Sequence, residues 1–410
     1  MNSLTKIASI AAVGALAAAP AAASAAPIAP SGYTLHTFAT APTGATGPDD
    51  ITYLDSHVFV GWQNRVGTKG EPGPTGQTYS SLVEYGRSGS VLHSWQLTGK
   101  VDGLGADSRT KEVIATVNED GNSSLYTVRP AGRSAGRVTH YTYSPAPGSA
   151  TSGGVFTGGG TDAVSVYRGE IILSASNPTP ANATAAFRVR LDRRDRTARL
   201  SPTFADNASA TDAVSNQQVT LALTDPDSNA VVPSSSPRFG GDFVLDGQAD
   251  QQLVFAHGLG RDGSSLERLA LTHSGTAAGV DDIRWADRSG GTLYLVDSGT
   301  NTVYTLTGPF QAGEAFAALD TVGSASQTTE LDTINLMTGA LSPLVTGFTG
   351  IKGIAWAPGR EGASSSGSGG QGNGHGHRNG RGQGDAQANA QGQGDGHGHS
   401  HGGLAQGRGR

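Results

Sequence analysis

From Tyr33 to Pro358 the chain is built of short runs in which apolar and polar residues alternate, separated by Gly, Asn, Asp and Ser. A period of two is the signature of strands with one buried face. Val58-Phe59-Val60, Glu112 to Val117, Gly169 to Leu173 and Thr292 to Val296 read as strands on this ground. Helical periodicity is scarce, and Ser265 to Thr272 (SLERLALT) is the one segment expected to form a helical turn or two. Many short strands with turn signals between them predict an all-β fold: a sandwich, a barrel or a propeller.

An internal repeat selects the propeller. A strand that starts at or near an aspartate, with the strand that follows it, recurs along the chain. The copies run from Asp50 to Asn64 (DITYLDSHVFVGWQN), Gly103 to Asn118, Asp162 to Asn177, Asp212 to Asp225 and Asp282 to Asp297. A partial copy follows from Lys352 to Pro358 (KGIAWAP). Outer halves recur too: Ser81 to Leu97 resembles Gly241 to His257. Copies start roughly every 50 to 60 residues, the period of a propeller array with one four-stranded blade per unit. The expected architecture is a β-propeller over residues 26–358 with six blades, seven being the other count the spacing admits. Tyr33 to Phe38 is expected to complete the last blade. The closure does not come out cleanly, because the last copy ends after one strand and the register is poor between Gly308 and Gly350.

The two ends differ in texture. Residues 1–25 have the layout of a secretory signal peptide: Lys6, an apolar stretch from Ile7 to about Ala19, then Ala23-Ser24-Ala25. That stretch is too short and alanine-rich to anchor in a bilayer, so a secreted protein without a membrane span is expected. Residues 359–410 are rich in Gly, Gln and His and contain no aromatic residue, the composition of a disordered tail. The chain has no cysteine, which excludes disulfides, thiolate metal sites and a cysteine nucleophile. Its net charge of −6 argues against nucleic acid as a partner. Arg188 to Arg199 is a basic exception, broken by Asp192 and Asp195, and reads as a solvated strand pair. A monomer is expected.

Thr292 to Tyr304 (TLYLVDSGTNTVY), preceded by Asp282-Ile283, resembles the strand pairs of NHL-repeat and gluconolactonase-like propellers, the group that includes the senescence-marker-protein (regucalcin) lactonases. The resemblance implies a divalent cation at the mouth of the central channel, held by carboxylates and an asparagine. Asp297, Asn118 and Asn177 match by repeat register, and no residue matches the family's N-terminal glutamate ligand.

The repeat itself suggests where chemistry gathers. The first two strands of a blade are antiparallel, so the start of one and the end of the other share one end of the blade. Starts offer Asp50, Asp162, Asp212 and Asp282. Ends offer Asn64, Asn118, Asn177, Asp225 and Asp297, with Glu119 beside Asn118. Radial blades aim these groups at one mouth, and a ring of oxygen donors suits Ca²⁺ or another divalent cation. The competing reading is structural, since Asp and Asn at strand ends hydrogen-bond their own turns.

Other motifs carry less. Asp225, Asp227 and Asn229 (DPDSN) have calcium-loop spacing, but Ala230 stands where that loop needs glycine, so a tight turn is expected. Gly132 to Gly136 (GRSAG) and Gly258 to Gly263 (GLGRDG) lie among strands and read as turns rather than a nucleophile elbow or a dinucleotide loop. Histidines outside the tail show no ligand spacing. His375, His377, His397, His399 and His401 are spaced for weak transition-metal binding. Two functions follow: a secreted propeller binding a small ligand, glycan or protein at its channel mouth, where the oxygens permit a structural Ca²⁺, or a metal-dependent lactonase or esterase.

Overall fold

The computed structural model describes residues 26–131, 136–147, 158–178, 182–323 and 325–359. The expected signal peptide, positions 132–135 of the GRSAG turn and the tail from 360 onward lie outside the described residues. The chain divides into two units, Met1–Ala363 and Ser364–Arg410, and every described residue belongs to the first. Among the described residues there is no helix.

β1 (Thr34–Thr40) precedes the first blade, which is β2 (Pro48–Leu54), β3 (His57–Trp62), β4 (Tyr79–Tyr85) and β5 (Val91–Thr98), an antiparallel meander. The second blade repeats it with β6 (Val101–Asp107), β7 (Glu112–Val117), β8 (Ser124–Arg129) and β9 (Arg137–Ser144). The third is β10 (Gly158–Tyr167), β11 (Glu170–Pro178), β12 (Thr184–Asp192) and β13 (Thr197–Ala205). A short hairpin, β14 (Ser209–Asp212) and β15 (Gln218–Thr220), then lies on the outer edge of the fourth blade. That blade is β16 (Pro226–Val231), β17 (Phe243–Gly247), β18 (Gln252–His257) and β19 (Ser265–Ala270).

The last two blades are interleaved. In chain order come β20 (Thr272–His273), β21 (Thr276–Trp285), β22 (Gly291–Asp297), β23 (Thr302–Thr307), β24 (Ala315–Val322), β25 (Ala325–Ile334), β26 (Ala340–Thr346) and β27 (Ile351–Pro358). β21 pairs with β24, and β25 and β26 complete that set. The intervening hairpin β22–β23 crosses to the next set, where β22 pairs with β27 and β23 with β1. The N-terminal strand therefore closes the ring, as expected. The register was poor after Gly308 because β24 pairs with β21, which ended at Trp285, and not with the hairpin just before it.

The innermost strands touch in a closed cycle: β2, β6, β10, β16, β21, β27 and back to β2. Apolar clusters fill the gaps between neighbouring blades. One joins Phe59 and Leu82 to Leu104 and Val113, and another joins Val60 and Val83 to Val296 and Val303 across the closure. Burial of these faces is the main stabilising term in a chain without disulfides.

Four sequence expectations are corrected. Ser265 to Thr272 is strand, β19 followed after Leu271 by the start of β20, because Ser265 to Ala270 pair residue by residue with β18. Asp212 sits on the outer hairpin, and the inner strand of the fourth blade begins at Pro226 instead. The DPDSN segment is therefore an inner strand and not a tight turn. Ser81 to Leu97 and Gly241 to His257 also occupy different places, strands three and four of one blade and two and three of another.

Candidate functional site: an acidic channel mouth

Every inner strand carries a bulge near its start. The register slips between Pro48 and Ile51, Val101 and Leu104, Thr161 and Val164, Pro226 and Asn229, Val280 and Asp282, and opposite Ile351 to Ile354. A bulge re-aims the side chains it contains. Here it sets two residues per strand around the channel. The first position is Asp49, Asp102, Asp162, Asp227, Asp281 and Lys352. The second is Asp50, Gly103, Ala163, Ser228, Asp282 and Gly353.

The second ring stitches blades together. Asp50 accepts hydrogen bonds from the amides of Ile51 and Leu104. Asp282 accepts from the Ile354 amide and from Ser228 Oγ. A Cβ on Gly103 would stand 2.6 Å from Ala163 Cα, so glycine permits the close approach of adjacent inner strands. Asp50 and Asp282 thus line the mouth but spend oxygens on backbone amides.

The first ring opens into a cavity of about 350 Å³. Ten carboxylates and two lysines line it, Glu119, Asp120 and Asp225 joining from the surrounding loops. Lys100 Nζ lies 2.8 Å from Asp102 Oδ1 and also bonds Glu119. Lys352 Nζ bonds Asp281, which also accepts from Gln248. Asp49, Asp162 and Asp227 make no hydrogen bond or ion pair through their carboxylates among the described residues. Asp162 is only 7% exposed.

The electrostatics follow from this crowding. Burial pushes the Asp49 carboxyl up to about 7, with Lys352 and Lys100 pulling the other way. Burial, then the charges of Glu119 and Asp102, raises Asp162 well above the usual carboxylate range. Burial and Asp162 do the same to Asp227, and burial with Glu119 raises Asp225. Lys100 is held charged: burial opposes this, but Asp102, Asp49 and Glu119 outweigh it. Crowding buried carboxylates in this way disfavours their ionised forms.

Of the residues singled out from the sequence, Asp50, Asp162, Asp282, Asn177, Asp225 and Glu119 line the cavity. Asn177 sits at the rim and donates to Asp120. Asp297, Asn118, Asn64 and Asp212 do not line it. Asp297 accepts from the amides of Gly299, Thr349 and Gly350. Asn118 Oδ1 accepts from Lys100 N, and Asn64 Oδ1 from Thr46 N. Each of these three ends the second strand of a blade and holds the linker that enters the same blade's inner strand. Asp212 caps its own turn through Ser215. The donor set implied by family resemblance therefore contributes only Asn177 to the cavity, whereas the first-ring carboxylates provide the oxygens a hard cation needs.

Sequence reasoning missed Asp49, Asp102, Asp281, Lys100 and Lys352, and set Asp227 aside as part of a turn. The signal was present: PDDI, VDGL, TDAV, PDSN, VDDI and IKGI align once the bulge is taken as the anchor. Two further cavities are less suited. Further along the inner strands, Thr52, Ser165 and Arg284 are among the residues around one of about 240 Å³. A larger one, about 620 Å³, lies among the arginines from Arg188 to Arg199. Its carboxylates are already paired: Glu112 with Arg129 and Arg193, Glu170 with Arg188.

No protein-family profile matches the sequence, and no curated protein matches it. Solved structures with a similar fold include a periplasmic gluconolactonase from Pseudomonas aeruginosa: 10% identity, TM-score 0.42, covering 75% of this chain and 88% of that one. A gluconolactonase from Xanthomonas campestris is similar at 14% identity and TM-score 0.42, covering 78% and 81%. A protein of unknown function from Bacteroides caccae is similar at 10% and 0.42, covering 75% and 86%. The propeller architecture stands on the strand ladders and the closed inner cycle. Among the described residues no helix is long and apolar enough to cross a membrane.

Proposed function

We propose that this is a secreted binding propeller whose acidic channel mouth holds a hard divalent cation, Ca²⁺, as part of the surface that recognises a small ligand, a glycan or a protein loop. The observation that carries this is the Asp162 carboxylate, more than nine-tenths buried, facing the cavity and paired with nothing among the described residues. Asp49 and Asp227, less completely buried, are likewise unpaired among the described residues, so three blades each contribute one such carboxylate. Oxygen donors on separate strands, with no imidazole or thiolate among the lining residues, favour Ca²⁺ over a transition ion. The expected result is that Ca²⁺ raises the melting temperature of chelator-treated protein by several degrees, and that Asp162→Asn removes most of the gain. Equal melting with Ca²⁺ and with chelator sinks the reading.

One observation favours a second reading, a lactonase or esterase. A buried carboxyl titrating near neutrality is suited to act as a general base, and Asp49 at about 7 is one. A bound cation would supply polarisation of a carbonyl, and Asp49 would take the proton from water. Turnover of simple aldonolactones that disappears in Asp49→Asn supports this reading. No turnover above background with Ca²⁺ present leaves binding alone.

A further inference from the structure

A second group of ligating side chains lies in the fifth blade, away from the channel. β20 is only two residues long, but it pairs antiparallel with β21 and parallel with β26. It thereby joins the innermost and outermost strands of that blade and curls it into a closed five-stranded barrel. The pairing sets His273 beside β25, on which Glu330 and Asp332 are two residues apart and so share a face. His273 Nδ1 is 3.0 Å from Asp332 Oδ2, and Nε2 is 4.0 Å from Glu330 Oε2. One ligating atom from each of the three falls within 4.8 Å of the others.

The group is not satisfied by its own members. Asp332 is fully buried, and among the described residues its Oδ1 accepts no hydrogen bond; neither does the buried Glu330 Oε2. Their cross-strand neighbours on β24 are Ala317 and Leu319, which offer no polar side chain. Leaving a buried carboxylate oxygen unpaired is costly. One imidazole cannot serve four carboxylate oxygens, and even a protonated one leaves a net negative charge. A divalent ion with neutral imidazole neutralises both carboxylates.

We propose that His273, Glu330 and Asp332 form a binding site for a borderline divalent transition ion of the Zn²⁺ class, with water completing the coordination. The imidazole nitrogen separates it from the all-oxygen mouth: nitrogen with two carboxylates suits Zn²⁺ or Co²⁺, and Ca²⁺ poorly. Its place, spanning β20 and β25, makes it a clasp holding the barrel shut, so the ion stabilises the folded state.

The test uses full-length protein stripped with chelator, with Zn²⁺ alone followed by melting temperature and Co²⁺ alone by its visible ligand-field absorption. Wild type is expected to gain several degrees with Zn²⁺ and to develop Co²⁺ bands. Asp332→Asn and His273→Gln are expected to need at least tenfold more metal for the same gain. Histidines between 375 and 401 are the same in all variants, so the difference reads this site. Asp332→Asn removes a buried charge at nearly constant shape and keeps the test open if His273→Gln does not fold. Asp162→Asn is expected to keep the full Zn²⁺ response. The proposal is overturned if wild type shows no Zn²⁺ response, if Asp332→Asn responds like wild type, or if the response follows Asp162 instead.

Discussion

Asp297 Oδ1 accepts a hydrogen bond from the amide of Gly350 at 2.9 Å, so the end of one strand holds the linker that leads into β27. Asn118 does the same for Lys100, and Asn64 for Thr46. Because the fully buried Asp297 serves three backbone amides, Asp297→Ala is expected to destabilise the protein by about 2–3 kcal/mol, read by urea or thermal unfolding. Its Ca²⁺ response should be undiminished. Loss of the Ca²⁺ shift in a well-folded Asp297→Ala protein would place the residue in the cation site and contradict its structural role.

Gly103 stands where the inner strands of the second and third blades come closest. An added Cβ would meet Ala163 Cα and Asp162 O at 2.6 Å, both backbone atoms with no side-chain freedom to yield. Gly103→Ala is therefore expected to cost about 1–3 kcal/mol through overpacking. Gly76, by contrast, faces open space. It has a positive φ, so Gly76→Ala is a milder change through backbone strain alone. A denaturation midpoint for Gly103→Ala at or above that of Gly76→Ala would mean that the strands are not so closely packed.

The mouth predicts an unusual pH dependence. Asp49 rises from 3.8 to about 7 on folding because it is buried. A folded group that holds its proton more tightly than the unfolded chain stabilises the fold below the unfolded value. That contribution is lost as pH rises through the window from about 4 to 7. Metal-free protein is thus expected to melt at a lower temperature at pH 7.5 than at pH 5, and Asp49→Asn should flatten the difference. Ca²⁺ should also flatten it, because the ion takes over the compensation that the proton gave. A metal-free wild type and Asp49→Asn with parallel pH profiles would show that Asp49 is not in this environment.

How much was legible in the sequence follows from what each signal depends on. Strand alternation is local, so β7 and the strands around Val58 and Thr292 read correctly from their own residues. The repeat was legible because each blade must present the same faces to its neighbours. Its register was not, since Asp162 aligns with Asp49 rather than Asp50 only when the bulge is seen. The recurring Asn and Asp at strand ends were real, but Asn118 and Asp297 recur to hold linkers. The hairpin β22–β23 was legible as strands, but its crossing to the next blade was not, because it exchanges partners without changing any local pattern. His273 and Asp332 lie 59 residues apart and meet only because β20 closes the barrel.

Lys352 is the one cation in a ring position that the other five blades fill with aspartate. Its charge is held by Asp281 first, then by Asp49 and Asp227, against the pull of burial. Lys352→Gln removes that charge while keeping most of the side chain's length. The remaining carboxylates then repel one another without their neighbour, so metal-free protein should be less stable at pH 7.5. The same change removes the group that repels an incoming cation. At an effective dielectric of about 20, two unit charges 4 Å apart interact by about 4 kcal/mol, and the interaction with a divalent ion is doubled. Screening and rearrangement reduce this, and a gain of about tenfold or more in Ca²⁺ affinity is the expected remainder, measured by calorimetric titration. The two effects are opposite in sign and have one cause, so they should appear together. A Lys352→Gln protein that binds Ca²⁺ no more tightly than wild type would mean that the ion does not sit among the first-ring carboxylates.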